Sequence, residues 1–576
     1  MKKTMKTCLL SILWLLCTVC CPVVWADIPA GTDYSTLNSA PDREAAYRNR
    51  EFRAYLPLES ICQRLCTGNY SAFENPTGIF FTAGESVTVE IAGEVPEGVS
   101  FIIHNFDRDG GHEEFPLKSG KNEFTTPVQG LGYLNYRADA PQQAPALQVK
   151  ISGGYVNGVF TQHDDAAVWA HMLAHARGNI LDILGERVQL AYSVEALRKH
   201  CPKRGPELVA IYDEVLRMQQ DMLGWERDNC HPGAHLHGRV QWRGFMHADA
   251  TGTAYVYSAM NEVADVDALK NSVWAIAHEF GHLNQCRPAM MWAGSAEVTN
   301  NIFSAWCCYN INPEFCRLEH ERTSVMGYHR SMRGGRMDCY INSALVRRQL
   351  WQFMTGPDGG ISSVPANRTG DHFVSVCPMW QLQLFFAVAR GNNELYPYVF
   401  HHARQQPKDT PHGQLRVLFC TRAADAVQLD LSEFFVRTGM LAPMNRYVED
   451  YQGHWVTITP EMCREAIAHM RRYPKPDTSV IYYVTANSVH IFRDRLPVQA
   501  SPDFVPNVDK GIITIPGDTW KNAVAFECYR GKRLVRVALR GLNHEDNATT
   551  DLIVPKGVTS IKAVQWDGTR YTIWQR

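Results

Sequence analysis

Runs of a single charge are missing from this 576-residue sequence. Its 57 Lys and Arg are interspersed with 59 Asp and Glu, for a formal net charge of -2 with His neutral. The basic footprint of a nucleic-acid binder is therefore absent, and nucleic acid is excluded as the expected partner. Internal repeats and low-complexity tracts are also lacking, and 30 Pro and 41 Gly are spread along the chain. That composition belongs to a globular protein rather than a disordered one. Neither Cys62 and Cys66, which are four apart, nor the adjacent Cys307 and Cys308 make a Cys-x2-Cys pattern. The cysteines therefore read as structural or free rather than as a zinc site.

The N-terminus carries what the rest lacks. Lys2, Lys3 and Lys6 precede an apolar run from Cys8 to Trp25 that ends in Val24-Trp25-Ala26. A positive start, a short apolar stretch and a small residue make a secretory signal peptide over residues 1–26. No other segment is long and apolar enough to span a bilayer, so no membrane span is expected after cleavage. Of 17 Cys, four leave with the signal and 13 remain, an odd number that keeps at least one thiol unpaired in a monomer. The mature protein is expected in the periplasm, at the cell surface or secreted.

Periodicity divides the remainder. Residues 27–74 are a helical lead-in, with a charged stretch Asp42-Arg43-Glu44-Ala45-Ala46-Tyr47 and apolar Leu56, Ile61 and Leu65. Residues 75–155 alternate with period two between Gly, Pro and Asn, as in Ser86-Val87-Thr88-Val89-Glu90-Ile91 and Val99 to Ile103, predicting a small β-sandwich. Residues 156–475 are mainly helical, with helices expected over Pro206 to Leu223, Leu269 to Gln285, Glu297 to Trp306 and Trp380 to Arg390. Pro474 and Pro476 precede a C-terminal β domain over 476–576, with strands at Val480 to Val484, Gly511 to Ile515, Leu534 to Leu539 and Ser560 to Val564. The fold class is a multidomain α+β chain with a helical catalytic domain between two β domains.

One segment carries chemistry: His278-Glu279-Phe280-Gly281-His282, a His-Glu-x-x-His pattern inside an apolar helical run. Residues four apart share a helix face, so both imidazoles reach one metal ion with Glu279 beside it. Catalytic zinc takes three protein ligands and leaves the fourth position for water. Glu297, fifteen residues after His282 on the next predicted helix, is the strongest candidate for the third ligand. Zinc acidifies the water and Glu279 acts as general base, then returns the proton to the leaving amine. An oxyanion donor is expected as well. Tyr309, Tyr328 and His329 are its candidates, and nothing in the sequence separates them. Upstream, His231, His235, His237, His247 and Asp249 surround Arg239 to Met246, a loop or edge strand; in zinc peptidases an edge strand beside the motif helix commonly pairs with the substrate backbone. For any one of these histidines a core or surface role is the plainer expectation. No residue is assigned to substrate binding.

The motif with Leu283-Asn284-Gln285, Arg287-Pro288, Trp292-Ala293-Gly294 and Glu297-Val298-Thr299-Asn300-Asn301-Ile302 resembles the signature of the M60-like (enhancin-type) metallopeptidases. Cys377-Pro378-Met379-Trp380-Gln381-Leu382, Leu431-Ser432-Glu433-Phe434-Phe435 with Gly439, and Asn75-Pro76-Thr77-Gly78 extend the likeness over roughly residues 75 to 450. The resemblance implies a gluzincin-like catalytic domain, zinc on His278, His282 and Glu297, and Glu279 as base. It also implies mucins and other O-glycosylated proteins as substrates, some members needing a glycan beside the cut bond, and the lysine-led signal suits a bacterium. The expected function is thus a secreted zinc endopeptidase of O-glycoproteins. Two alternatives are a zinc peptidase indifferent to glycans and an inactive glycan-binding surface protein, against which the intact Glu279 counts.

Overall fold

The computed structural model describes residues 32–323, 332–348, 372–501 and 503–576. The expected signal segment, Tyr328 and His329 lie outside the described residues.

The chain opens with short helices, and the charged run forms one of them, Arg43–Arg48, capped when the Asp42 carboxylate accepts the Ala45 amide at 3.0 Å. The lead-in is not wholly helical, however. Strand β1 (Asn49–Phe52) adds antiparallel to β8 (Leu147–Ser152), burying Phe52 among the residues of the following domain. Two antiparallel sheets result. One runs β1-β8-β3-β6, with β3 at Ser86–Ala92 and β6 at Gly120–Thr125. The other is formed by β5 (His112–Pro116), β4 (Ser100–His104), β7 (Gly130–Asn135), β2 (Pro76–Phe81) and β9 (Tyr155–Val156), in that order. Alternation in β3 turns Val87, Val89 and Ile91 inward and Ser86 and Glu90 outward. The inward residues share one core with Phe81, Phe101, Ile103 and Leu134 of the other sheet.

The next sheet is mixed. Its strands are β10 (Val159–Thr161), β11 (Ile180–Leu184), β12 (Val188–Ser193), β13 (Leu236–Gln241), β14 (His247–Asp249) and β15 (Gly252–Val256), ordered β10-β11-β12-β13-β15-β14. The run from Arg239, expected at an edge, lies inside the sheet as β13, parallel to both neighbours. The edge strand is β14, which pairs only with β15 among the described strands. Phe73 joins this sheet to the N-terminal domain, packing on His104 at 4.8 Å and His237 at 4.9 Å between ring centroids.

Helix Gly205–Leu223 buries Leu208, Tyr212, Val215 and Leu216 as its pattern requires and ends at Gly224 in the left-handed conformation. The expected helix from Leu269 to Gln285 is broken into Val266–Asn271 and Trp274–Asn284. Ser272 is extended between them, and its hydroxyl accepts the Trp274 amide at 3.4 Å, which starts the second helix afresh. The expected helix at Trp380 begins earlier, at His372–Gln383, and widens into a π-helical turn over Leu384–Ala389. By length and composition His372–Ala389 could cross a membrane, unlike the sequence expectation, but 78% of it is buried inside the protein. It is a core helix.

Toward the C-terminus, Ile512–Ile515 pairs with Thr550–Ile553, and a four-stranded sheet runs Arg533–Leu539, Ala525–Arg530, Ser560–Val564, Arg570–Gln575. The strand expected at Val480 is instead a 3-10 turn, Ile481–Tyr483. The carbonyls of Tyr482 and Val484 are taken by the Gln381 side chain, at 2.6 and 3.1 Å, rather than by a neighbouring strand. This region is bound tightly to the helices: Arg536 donates to buried Asp338 at 2.6 Å, and the Asn342 amide exchanges two 2.9 Å hydrogen bonds with the Val537 backbone.

Candidate metal centre

The motif helix, Trp274–Asn284, turns Ile276, Ala277, Phe280 and Leu283 into the core. Its opposite face carries the histidines. The following helix, Ala296–Ile311, lies against it so closely that a Cβ on Gly281 would sit 2.8 Å from the Asn300 carbonyl oxygen. Glycine at the motif's fourth position thus sets the spacing that brings Glu297 to the histidines.

His278 Nε2 and His282 Nε2 are 3.2 Å apart, and Glu297 Oε2 is 3.3 Å from each. A tetrahedral zinc with ligand bonds of about 2.0–2.1 Å has ligand-to-ligand edges of roughly 3.3–3.4 Å. The three atoms therefore outline one face of such a tetrahedron, and the donor set of two imidazoles and a carboxylate suits zinc. One atom each of His278, Glu279 and His282 also falls within 4.8 Å of the others. Glu297 Oε2 touches both imidazoles, whereas buried Glu279 leaves its Oε2 without a partner among the described residues.

Surrounding groups hold these side chains in place. His278 Nδ1 meets Asn301 Oδ1 at 2.8 Å, the Asn301 amide nitrogen donates to the Glu297 carbonyl at 2.8 Å, and the Asn300 amide nitrogen lies 3.1 Å from His282 Nε2 and 3.5 Å from His278 Nε2. Asp450 accepts the amides of Gly294 at 2.8 Å and Ala296 at 3.0 Å, capping the second helix from a distant hairpin, Met444–Asp450 with Gln452–Ile458. Tyr451, at the turn of that hairpin, donates its hydroxyl to Glu297 Oε1. It holds φ at 56°, a left-handed value that costs a bulky residue backbone energy.

Burial raises the carboxyl pKa of Glu279, against the pull of His278 and His282. Burial acts in the same direction on Glu297, but hydrogen bonds from His278, His282 and Tyr451 outweigh it and hold the carboxyl far below the usual range. The Tyr451 hydroxyl is pushed up by burial and by Glu297, so it stays protonated and able to donate.

These residues line a cleft of about 750 Å³, bounded on one side by Met246, His247 and Ala248 at the β14 edge and on the other by Lys408, His412 and His454. Tyr309, a sequence candidate for the oxyanion donor, lies elsewhere, against Trp306 and Trp380. His235 is buried on Glu74 at 2.8 Å and His237 is buried beside Phe73, so of the upstream candidates it is His247 that reaches the cleft. Sequence reasoning missed Tyr451, Asp450 and Asn301 as site residues.

Residues 154–439 match the peptidase M60 family, enhancin and enhancin-like, and residues 39–152 match the N-terminal domain of M60-like peptidases. The chain belongs to the M60 family. It is a metallopeptidase by that membership, and the histidine-carboxylate cluster is where an M60 peptidase of this sequence can hold its metal. No curated protein matches the chain. Among solved structures, a metallopeptidase from Bacteroides thetaiotaomicron is similar at 20% identity and a TM-score of 0.71, covering 93% of this chain and 91% of that one. A metallopeptidase in complex with Tn antigen has the same identity and TM-score and covers 93% and 100%. The M60 catalytic domain of Clostridium perfringens ZmpC, in complex with the sialyl T antigen, is similar at 16% identity and a TM-score of 0.62, covering 91% and 99%. At such identities the likeness is one of fold.

Proposed function

We propose that this M60 peptidase is an exported, zinc-dependent endopeptidase that cuts O-glycosylated, mucin-like proteins, with His278, His282 and Glu297 as ligands and Glu279 as general base. The observation that carries the zinc reading is the triangle of 3.2, 3.3 and 3.3 Å between the three ligand atoms. Support for the glycan reading comes from two proteins of the same fold, one in complex with Tn antigen and one with sialyl T antigen. Lys2, Lys3 and Lys6 before an apolar run support export.

His278, His282 and Glu297 would hold the zinc, which would supply Lewis acidity and lower the pKa of a bound water. Glu279, whose Oε2 has no partner among the described residues, would be the group that takes a proton from an attacking water as the water oxygen bonds to the scissile carbonyl carbon. The same carboxyl returns the proton to the amine nitrogen as the carbon–nitrogen bond breaks. Asn301 keeps His278 aimed, Tyr451 holds Glu297, and the open edge of β14 accepts the substrate backbone as an added strand.

Digestion of a mucin and its deglycosylated form, by wild type, by Glu279→Ala and in the presence of a chelator, tests this reading. Cleavage of the glycosylated form alone, abolished by the substitution and the chelator, is the expected result. Equal cutting of both forms would make it a general zinc peptidase, and binding without cutting would make it a glycan-binding protein.

A further inference from the structure

Thirteen cysteines lie in the described residues, eleven of them buried. Near the metal helices, Cys307 lies against the Val215 carbonyl at 3.7 Å and Cys308 against the Ser272 hydroxyl at 3.8 Å. Cys66 and Cys286 differ, because the Arg287 amide donates to the Cys66 carbonyl at 2.8 Å, which brings the two cysteines together across 220 residues of sequence.

The backbone holds them there. Helix Leu58–Leu65 ends at Cys66, which takes a left-handed φ of 56°. The segment then folds over the end of the motif helix: the Gly68 amide donates to the Leu283 carbonyl at 2.7 Å, and the Arg287 amide donates to the Cys66 carbonyl at 2.8 Å. A Cβ on Gly68 would meet Leu283 Cα at 3.2 Å, so the approach leaves little room for a side chain. The Arg287 guanidinium donates to the carbonyl of the ligand His282 at 3.0 Å. Whatever fixes Cys286 therefore fixes the C-terminal end of the helix that carries His282.

We propose that Cys66 and Cys286 form a disulfide that pins the C-terminal end of the metal-binding helix. The two thiols are suited to different steps. Cys66 is half-buried and reachable, and the hydrogen bond from Cys286, with Lys408 and Arg404 nearby, brings its thiol down to about 7 despite burial. A large share is thus thiolate at neutral pH. Cys286 is 1% exposed, and the hydrogen bond to Cys66 together with burial holds its thiol well above the usual range. Cys66 attacks one sulfur of a small-molecule disulfide such as oxidised glutathione, expelling one thiolate. That thiolate takes the proton of Cys286, whose sulfur attacks Cys66 and expels the second thiolate, which is protonated by solvent. Two electrons pass from the cysteine sulfurs to the small-molecule disulfide, which is reduced to two thiols, and one protein S–S bond forms.

Peptide mapping of full-length protein tests this, after treatment with oxidised glutathione and alkylation under non-reducing conditions. The expected result is a bridged peptide containing Cys66 and Cys286, absent in Cys66→Ser and in Cys286→Ser. Reduction of the wild type then lowers Tm by roughly 5 °C, since a bridge across so long a loop restricts the unfolded chain, and speeds loss of zinc to a chelator several-fold. Stable glutathionylation of Cys66 without a bridge, or a Cys62–Cys66 bridge, would overturn the proposal. The mapping needs neither metal nor substrate, so its failure is distinct from failure of the peptidase reading.

Discussion

The hydroxyl of Tyr451 donates to Glu297 across 154 residues of sequence, from the turn of a hairpin to the first turn of the helix that follows the motif. The side chain is 78% exposed as a residue, so its position is not explained by core packing. Tyr451→Phe is expected to leave Tm unchanged and weaken zinc binding about 10-fold, the usual cost of losing a hydrogen bond to a ligand. Chelator competition measures it; equal affinity in the variant would show that the contact does not support the metal.

Asn301 makes the same argument from the other side of the site. Asn301→Ala removes the acceptor for His278 Nδ1 and is expected to lower metal affinity by about 10- to 100-fold. Asn301→Asp keeps an acceptor there and should retain most of it. If both variants bind alike, orientation of His278 is not the role of Asn301.

Gly281→Ala separates helix propensity from packing. Alanine gains about 1 kcal/mol in a helix interior, yet its Cβ would stand 2.8 Å from the Asn300 oxygen. Forcing the two helices apart is expected to cost about 1–3 kcal/mol, so the variant should melt at lower temperature and bind zinc less tightly. A higher Tm would mean that the helices have room to spare.

Stability should depend on pH through Asp182, which accepts the Tyr133 hydroxyl at 2.7 Å at the joint between the N-terminal domain and the mixed sheet. Burial pushes its pKa from 3.8 up to about 7. The folded state therefore keeps a proton that the unfolded chain releases. The stabilisation is complete below pH 4 and is lost as pH rises toward 7, a swing of up to about 4 kcal/mol. Asp182→Asn has no such swing, so denaturant titrations should find the variant gaining on wild type from pH 5 to pH 8. A constant difference would contradict the assignment.

The cluster of candidate ligands was legible because helical spacing puts His278 and His282 on one face, and the next helix brings Glu297 to within 3.3 Å of both. The helix starts were less so. Ser272 reads as one more helical residue until its hydroxyl is seen to accept the Trp274 amide. Val480 to Val484 has the composition of a strand, but Gln381, a hundred residues upstream, takes the carbonyls that a strand would pair. Asp450-Tyr451 between two alternating runs does suggest a hairpin turn. Nothing local shows that the turn lands on Glu297, since that contact is made only by the folded helices and the hairpin together. Strand β1 is likewise fixed by its partner β8 rather than by its own four residues.

Zinc stoichiometry in wild type, Glu279→Ala and Glu297→Ala tests the central claim most directly, because it asks which glutamate holds the metal and which moves the proton. One zinc per chain in wild type and in inactive Glu279→Ala, with zinc lost in Glu297→Ala, is the predicted result. Zinc retained by Glu297→Ala and lost from Glu279→Ala would exchange the two roles and contradict the site described above.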